Sequence, residues 1–445
     1  MDVDEKATRM DTIRGKKDPP GDDDDMDYPN NTSSGMYGAV FNLTTTIVGA
    51  GIMALPATMK VLGLIVGMLL IFLMGVISEI SLEMLVRFTV LCKASSYGGV
   101  VKEALGSPFR IICEVFIVIN NAGILVVYLI IIGDVMSGTE QHEGVLGQWF
   151  GKGFWDDRAI VIFIVLIMFL APLCALDRIE SLAMTSAASV LLAVLFVIIA
   201  CFVCLIMLFE GRISMPRLLP DFGSKEAIID LLVVIPIMSN AYVCHFNAQP
   251  IYNELEGRSP KKMNNVGRIT TAICVAIYLA TAMSGYLLFG SKTEADVLTN
   301  FDQPLGIRFS TALNYIIRIG YIFHLILVFP VIHFSLRQNV DALIFSGKKP
   351  LTESKTRCLG LTCVLLAFTY IASTLIPTIW VAFKFTGATT AVSLGFTFPA
   401  LIGLRLNYMG VISLSSRERV LCWAMLILAL IVSVVGVGGN LYGLS

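Results

Sequence analysis

The chain has 445 residues, of which 56% are hydrophobic and 15% are charged. Soluble domains carry about 25% charged residues, so an ordinary soluble fold is excluded. The formal net charge of −1 argues against nucleic-acid binding, which requires a concentrated basic surface. Uncharged apolar runs of about 20 residues recur along the sequence, and this length matches a hydrocarbon core of about 30 Å. The composition therefore predicts an all-α integral membrane protein.

Residues 1–36 differ in composition from the rest of the chain. They are polar and include the run Asp22 to Asp25. They lack the apolar core of a signal peptide, and their composition is that of a disordered segment. We expect a disordered acidic cytosolic tail, followed by one transmembrane domain over 37–441.

Apolar runs in this domain predict eleven transmembrane helices. About 20 residues at 1.5 Å each are enough to cross the hydrocarbon core. The predicted spans, numbered 1 to 11 in chain order, are 37–59, 62–86, 110–135, 159–176, 182–209, 227–252, 266–289, 310–332, 357–377, 379–404 and 418–441.

The distribution of lysine and arginine predicts the orientation, because these residues favour cytosolic loops. With the N-terminus in the cytosol, the cytosolic loops hold more than twice as many of them as the opposite loops, even without the tail. We therefore expect a cytosolic N-terminus. An odd number of spans places the short C-terminus on the opposite side, which we call the far side.

The spans divide into two predicted repeats and one extra helix. Repeat one covers about 37–209, repeat two about 227–404, and the extra helix about 418–441. Spans 1 and 6, which begin the two repeats, both contain helix-breaking residues. An odd number of helices per repeat inverts the second repeat relative to the first, as in many secondary transporters.

Span 1 contains the first candidate site, within FNLTTTIVGAGIMALPATM at 41–59. Gly49, Gly51 and Pro56 weaken a helix that would lie at mid-membrane. Freed backbone groups cannot remain unpaired in lipid, so they must face protein or a water-filled site. Such N–H groups can bind a carboxylate, and such carbonyls an ammonium group. Close helix packing through small residues is the alternative explanation.

Span 6 contains the second candidate site, within PIMSNAYVCHFNAQPIYNELEG at 236–257. Ser239, Asn240 and His245 lie there between Pro236 and Pro250. A buried histidine is usually a structural residue. Polar residues in membrane spans nevertheless often mark substrate or ion paths, so we favour a functional role.

Two further spans carry polar residues of interest. His324 lies in span 8 with Arg318, and Asn120 lies in span 3. Histidine has an unperturbed pKa near 6.5, which suits it to load a proton from an acidic compartment. A structural ion pair or an interfacial anchor is the equally weighted alternative for span 8.

Chemistry other than transport finds no support. HExxH, P-loop and GxSxG motifs are absent, as is a paired-aspartate site within a span. The cysteines lack metal-binding spacing and lie mostly in apolar runs. We predict no enzyme activity, no cofactor, no metal and no disulfide.

Several long motifs resemble one known family. FNLTTTIVGAGIMALP, NNAGILVVYLIIIGDV, YVCHFNAQPIYNELEG, VLTNF and FKFTGATTAVSLGFTFPA are similar to segments of the amino acid/auxin permease superfamily, in the same order over about 37–440. Within it, the chain looks most like plant vacuolar amino acid transporters related to sodium-coupled neutral amino acid transporters.

This resemblance implies an eleven-helix fold of the leucine-transporter type, with an amino acid held between broken spans 1 and 6. Spans 1 to 10 would form a 5+5 inverted repeat. Carried over to this sequence, the substrate-binding residues would be Thr45, Thr46, Gly49, Ala50 and Gly51 in span 1, and Ser239, Asn240, Tyr242 and His245 in span 6.

The chain departs from the sodium-coupled relatives, which place an asparagine near Thr45 and a threonine near Val328. The far-side loops also lack the cysteines that form a disulfide in some plasma-membrane relatives. Both departures favour protons as the coupling ion and an internal membrane as the location. His245, His324 and Asn120 are the ion-coupling candidates.

We therefore expect a secondary active amino acid transporter, proton-coupled and located in the vacuolar membrane, that works by alternating access. Two alternatives stay open. One is an amino acid sensor with a transporter fold, and the other is a sodium-coupled carrier of the plasma membrane.

Overall fold

The computed structural model describes residues 35–176, 183–307, 309–345, 348–349 and 351–442. The predicted disordered tail therefore lies almost entirely outside the described residues. Within them the protein is all-helical, with one isolated β-bridge between Gly138 and Glu143.

A helix, or a pair of helices, lies at each predicted span. Short helices at Tyr97–Leu105 and Val145–Phe150 connect some of them. The spans are Met36–Ile47 with Gly51–Leu62, Leu64–Leu91, Ser107–Ser137, Arg158–Cys174, Ala183–Phe209, Lys225–Tyr242 with His245–Glu254, Pro260–Phe289, Ser310–Ile344, Lys355–Leu375, Ile379–Tyr408 and Ser416–Tyr442.

Length and composition support most of these as membrane crossings. In the part of the chain that the structure describes, eight helices are long and apolar enough to cross, or nine when the bent pair of span 1 counts as one. Span 4 is a shorter apolar helix, and span 6 is divided into two. The predicted count of eleven is consistent with this architecture.

Span 1 is divided where the sequence predicts it. Half-helix 1a, Met36–Ile47, and half-helix 1b, Gly51–Leu62, are bent by 55° relative to each other. Val48 has an extended ψ of 90°, so the helical hydrogen bonds cannot continue through it. Pro56 removes a further donor from 1b.

Span 6 is divided at the corresponding place in the second repeat. Half-helix 6a, Lys225–Tyr242, ends at Val243, and half-helix 6b, His245–Glu254, begins after Cys244. The break at Val243 and Cys244 therefore lies within the second candidate site, between Asn240 and His245. In each half of the chain a divided span is followed by four others, as the 5+5 arrangement requires.

Small residues bring the divided spans close to their neighbours. A Cβ atom on Gly51 would lie 3.0 Å from the Cα and Cβ atoms of Ala241, so 1b and 6a touch here. On Gly387 it would lie 2.1 Å from the carbonyl oxygen of Pro236. Span 10 winds into two π-helical turns around this contact, and its small residues pack against 6a.

Candidate functional site

Three carbonyl groups at the breaks are bound by tyrosine hydroxyls. Tyr278 of span 7 lies 2.6 Å from the carbonyl oxygen of Ile47 and 2.7 Å from that of Ala241. Tyr321 of span 8 donates to the carbonyl of Gly49 over 2.7 Å. Because no water is available at this depth in lipid, buried carbonyls need such partners. With one proton each, the two tyrosines replace part of the hydrogen bonding that continuous helices would have made.

The N–H groups at the start of half-helix 1b are only partly supplied with hydrogen-bond acceptors. Those of Gly49 and Gly51 have no hydrogen-bond acceptor among the described residues. The N–H of Ala50 meets the hydroxyl of Tyr128 from span 3. A helix N-terminus carries a partial positive charge and turns its free N–H groups outward. The break therefore offers a place for an anion such as a carboxylate.

The polar side chains of half-helix 1a contact spans 5 and 6. Thr46 Oγ1 donates to the Asn42 carbonyl over 2.9 Å and accepts from Asn247 Nδ2 over 3.0 Å. Thr45 Oγ1 lies 3.5 Å from the carbonyl of Ser186 in span 5. A cavity of about 70 Å³ lies beside Thr46 between spans 1, 5, 6 and 8. Asn42, Ser335 and Asn339 also line this cavity.

His324 lies next to the break of span 1. Its Nδ1 is 2.7 Å from the carbonyl oxygen of Ser189 in span 5. Its ring packs on Tyr321, with 4.7 Å between ring centroids. The backbone of Val48 is a further neighbour, while Nε2 makes no hydrogen bond within the described residues. The sequence-predicted histidine of span 8 thus reaches the divided helix.

The other predicted polar residues face away from the break of span 1. Ser239 bonds within its own helix, to the Ile235 carbonyl. The rest contact span 2 or span 10. These bonds join Asn240 Nδ2 to Thr386 Oγ1 at 3.0 Å, Tyr242 Oη to the Ile71 carbonyl at 3.0 Å, His245 Nε2 to Ser81 Oγ at 3.2 Å, and Asn120 Oδ1 to Thr390 Oγ1 at 3.2 Å.

The structure thus brings together Thr46, Gly49, Ala50, Gly51 and His324, whereas Ser239, Asn240, Tyr242 and His245 make their hydrogen bonds away from the break of span 1. Their predicted roles in substrate binding and ion coupling stay predictions. For Gly51, the contact with Ala241 is itself a reason for glycine, so packing and backbone approach both apply at this position.

Sequence reasoning missed the three tyrosines, Tyr128, Tyr278 and Tyr321. Each is fully buried within an apolar span. A buried tyrosine hydroxyl usually finds a hydrogen-bond partner, and in a membrane helix the local backbone is already paired. A tyrosine within an apolar span is therefore a signal of a break in a neighbouring helix. The sequence alone does not show which helix is broken.

An all-helical bundle with two facing divided helices is the architecture of a secondary transporter. The structure is similar to a crystal structure of MhsT in complex with L-phenylalanine, with a TM-score of 0.59 and 14% identity, covering 92% of this chain and 99% of that one. This similarity supports the leucine-transporter-type fold that the sequence resemblance implied.

The family model for transmembrane amino acid transporter proteins matches residues 32–444, and the chain belongs to this family. It is 68% identical to amino acid transporter AVT6E of Arabidopsis thaliana over 430 residues, covering 95% of this chain and 88% of that protein. It is 44% identical to AVT6B of the same plant over 413 residues, covering 92% and 90%. The prediction of a multi-pass transporter rather than an enzyme is confirmed.

Proposed function

We propose that this protein exports amino acids from the vacuole lumen to the cytosol together with protons. The observation that carries the proposal is the start of half-helix 1b, where the N–H groups of Gly49, which is buried, and of Gly51, which is half-buried, have no acceptor among the described residues. Buried donors without a partner are rare in folded proteins. A bound carboxylate would satisfy them and be favoured by the helix dipole.

The remaining groups at the breaks suit an amino acid. The Tyr128 hydroxyl lies beside the backbone N–H of Ala50, and its own proton is available to a carboxylate. The carbonyl oxygens of Ile47 and Ala241 lie close together, and both contact the Tyr278 hydroxyl. Carbonyl groups at helix C-termini attract cations, so this place suits the ammonium group of the same substrate.

His324 supports coupling to protons. A carbonyl oxygen only accepts, so Nδ1 of His324 must carry a proton to bond Ser189. In the neutral ring Nε2 is then an unprotonated acceptor. A second proton would place an N–H group on Nε2, beside the backbone of Val48 in the break of span 1. Proton loading would thereby add a bond to the segment that must move.

The vacuolar membrane is proposed from the resemblance to plant vacuolar transporters, and from the missing sodium-site residues near Thr45 and Val328. His245 and Asn120 remain alternative coupling residues. An acidic lumen would then supply the protons that accompany export.

The test is uptake into proteoliposomes with a panel of radiolabelled amino acids, with pH and sodium gradients imposed separately. We expect an acid far side to drive uptake, and replacement of sodium by potassium to leave the rate unchanged. Loss of uptake without sodium would replace the proposal with a sodium-coupled carrier. Binding without any transport would replace it with a sensor.

A further inference from the structure

A separate cavity of about 500 Å³ opens on the far side, away from the breaks. It lies between the loop that precedes Ser310, the end of span 3 and the starts of spans 4 and 10. Among the residues that line it, the ionisable ones are Asp134, Glu140, His142, Arg158, Glu294 and Asp296.

Asp296 is the unusual group in this cavity. Asp296 is only 5% exposed. One of its carboxyl oxygens, Oδ2, has no hydrogen-bond partner among the described residues. The other oxygen, Oδ1, accepts the Leu298 N–H over 2.9 Å. A buried carboxylate with an unpartnered oxygen is costly, whereas a protonated carboxyl is not.

The charges around Asp296 do not provide a strong counterion. Arg318 of span 8 favours the ionised form only weakly, and its guanidinium donates to the carbonyls of Val135 and Glu143. Asp134 of span 3 opposes ionisation, and its own partner Arg158 lies 3.2 Å from it. Burial is the dominant effect, and it raises the pKa of Asp296 to about 8.

The remaining charged neighbours are already engaged elsewhere. His142 Nδ1 lies 3.1 Å from Asp302 and its Nε2 lies 3.9 Å from Glu294. Lys60, at the end of half-helix 1b, donates to the Thr293 carbonyl over 2.8 Å. None of these bonds reaches the free oxygen of Asp296.

The segment 290–302, which we call the far-side loop, connects Asp296 to the divided helix. The N–H of Val297, the next residue, donates to the Met53 carbonyl of half-helix 1b over 3.2 Å. The Lys60 side chain donates to the Thr293 carbonyl, so the far-side loop is hydrogen-bonded near both ends of half-helix 1b. A movement of the far-side loop that exposed Asp296 would therefore break its hydrogen bonds to half-helix 1b.

We infer that Asp296 is a proton-binding site on the far side, and that its protonation stabilises the closed position of the far-side loop over half-helix 1b. The inference rests on the proposed function for its direction: an acidic lumen would close the lumenal side behind the substrate. In an open state, hydrated Asp296 would return toward the pKa of about 4 that is usual for aspartate.

The sign of the effect follows from these two pKa values. The closed state binds the proton more tightly, so closure is most favoured at acid pH and is lost as pH rises toward 8. Between about pH 4 and 8 the ratio of closed to open molecules should fall by up to tenfold per pH unit, since one proton is involved.

The experiment measures opening directly, without transport. Ile379 lines the cavity and is 2% exposed, so Ile379→Cys is labelled by a membrane-impermeant maleimide only when the cavity opens. The background carries Cys363→Ser, because Cys363 is an exposed thiol. Labelling rates, corrected for the intrinsic pH dependence of a model thiol, are measured in proteoliposomes at equal internal and external pH from 5 to 8.

The corrected rate should rise at least tenfold across this range. Asp296→Asn, which is neutral at every pH, should label slowly throughout, while Asp296→Glu should keep the rise. Glu294→Gln removes a half-exposed carboxylate from the same cavity and should behave like the parent. The inference is overturned if Asp296→Asn keeps the pH response, or if Glu294→Gln also removes it. Because no gradient is imposed, a failure of proton coupling would not change this result.

Discussion

The hydroxyl oxygen of Tyr278 lies 2.6 Å from the carbonyl oxygen of Ile47, the last residue of half-helix 1a. The same hydroxyl lies 2.7 Å from the carbonyl of Ala241, near the end of half-helix 6a. A phenol has one proton, so it donates to one carbonyl at a time. Tyr278 therefore links the two divided spans, because its single proton can be donated either to Ile47 of span 1 or to Ala241 of span 6.

Replacing Tyr278 with phenylalanine should slow transport at least tenfold. The change removes the one proton that the two buried carbonyls share, at a cost of about 1–3 kcal/mol for an unsatisfied group. Uptake into proteoliposomes measures the rate, and elution from a sizing column checks folding. The matched control is Tyr370→Phe, which removes a bond to the Ala159 carbonyl outside the divided spans. Equal rates in both variants would contradict a role for the bridge.

The pH dependence of uptake should separate the two buried histidines. His324→Gln keeps a polar side chain beside Ser189 but cannot gain a proton, so acid stimulation should disappear. His245 must donate from Nε2 to Ser81, because the Ser81 hydroxyl donates to Gly395. Its glutamine variant should keep the response. The reverse pattern would assign coupling to His245.

The sequence predicted the interruption of spans 1 and 6 because glycine and proline act locally on the backbone. It could not predict which face of half-helix 6a would meet span 1. Asn240 and Tyr242 turn instead to spans 10 and 2, and rotation about a helix axis depends on tertiary packing. Asp296 was missed for a related reason: in the sequence it is an ordinary loop aspartate, and only the fold buries it.

Substitution of Gly51 by leucine should abolish transport. A Cβ atom there would already lie 3.0 Å from Ala241, so half-helices 1b and 6a would have to separate. Gly320→Leu is the matched control, since nothing lies within 4 Å of a Cβ atom at that position. Uptake and thermal melting in detergent are measured for both. Wild-type uptake by the Gly51 variant would show that this helix contact is not needed.

Replacement of Tyr128 by phenylalanine should raise the KM for the amino acid by about tenfold or more, with a smaller change in maximal rate. The hydroxyl lies beside the Ala50 N–H, and its proton can be donated to the substrate carboxylate. A hydrogen bond to a charged group contributes about 1.5–3 kcal/mol, and 1.4 kcal/mol corresponds to a tenfold change in affinity.

The substrate itself provides the control for Tyr128. An amino acid amide keeps the ammonium group but has no carboxylate to accept the hydroxyl proton. In competition assays, Tyr128→Phe should weaken binding of the amino acid much more than binding of its amide. Equal losses for the two ligands would show that Tyr128 acts on the shape of the break around Gly49, where its hydroxyl would lie 2.2 Å from an added Cβ atom, rather than on the carboxylate.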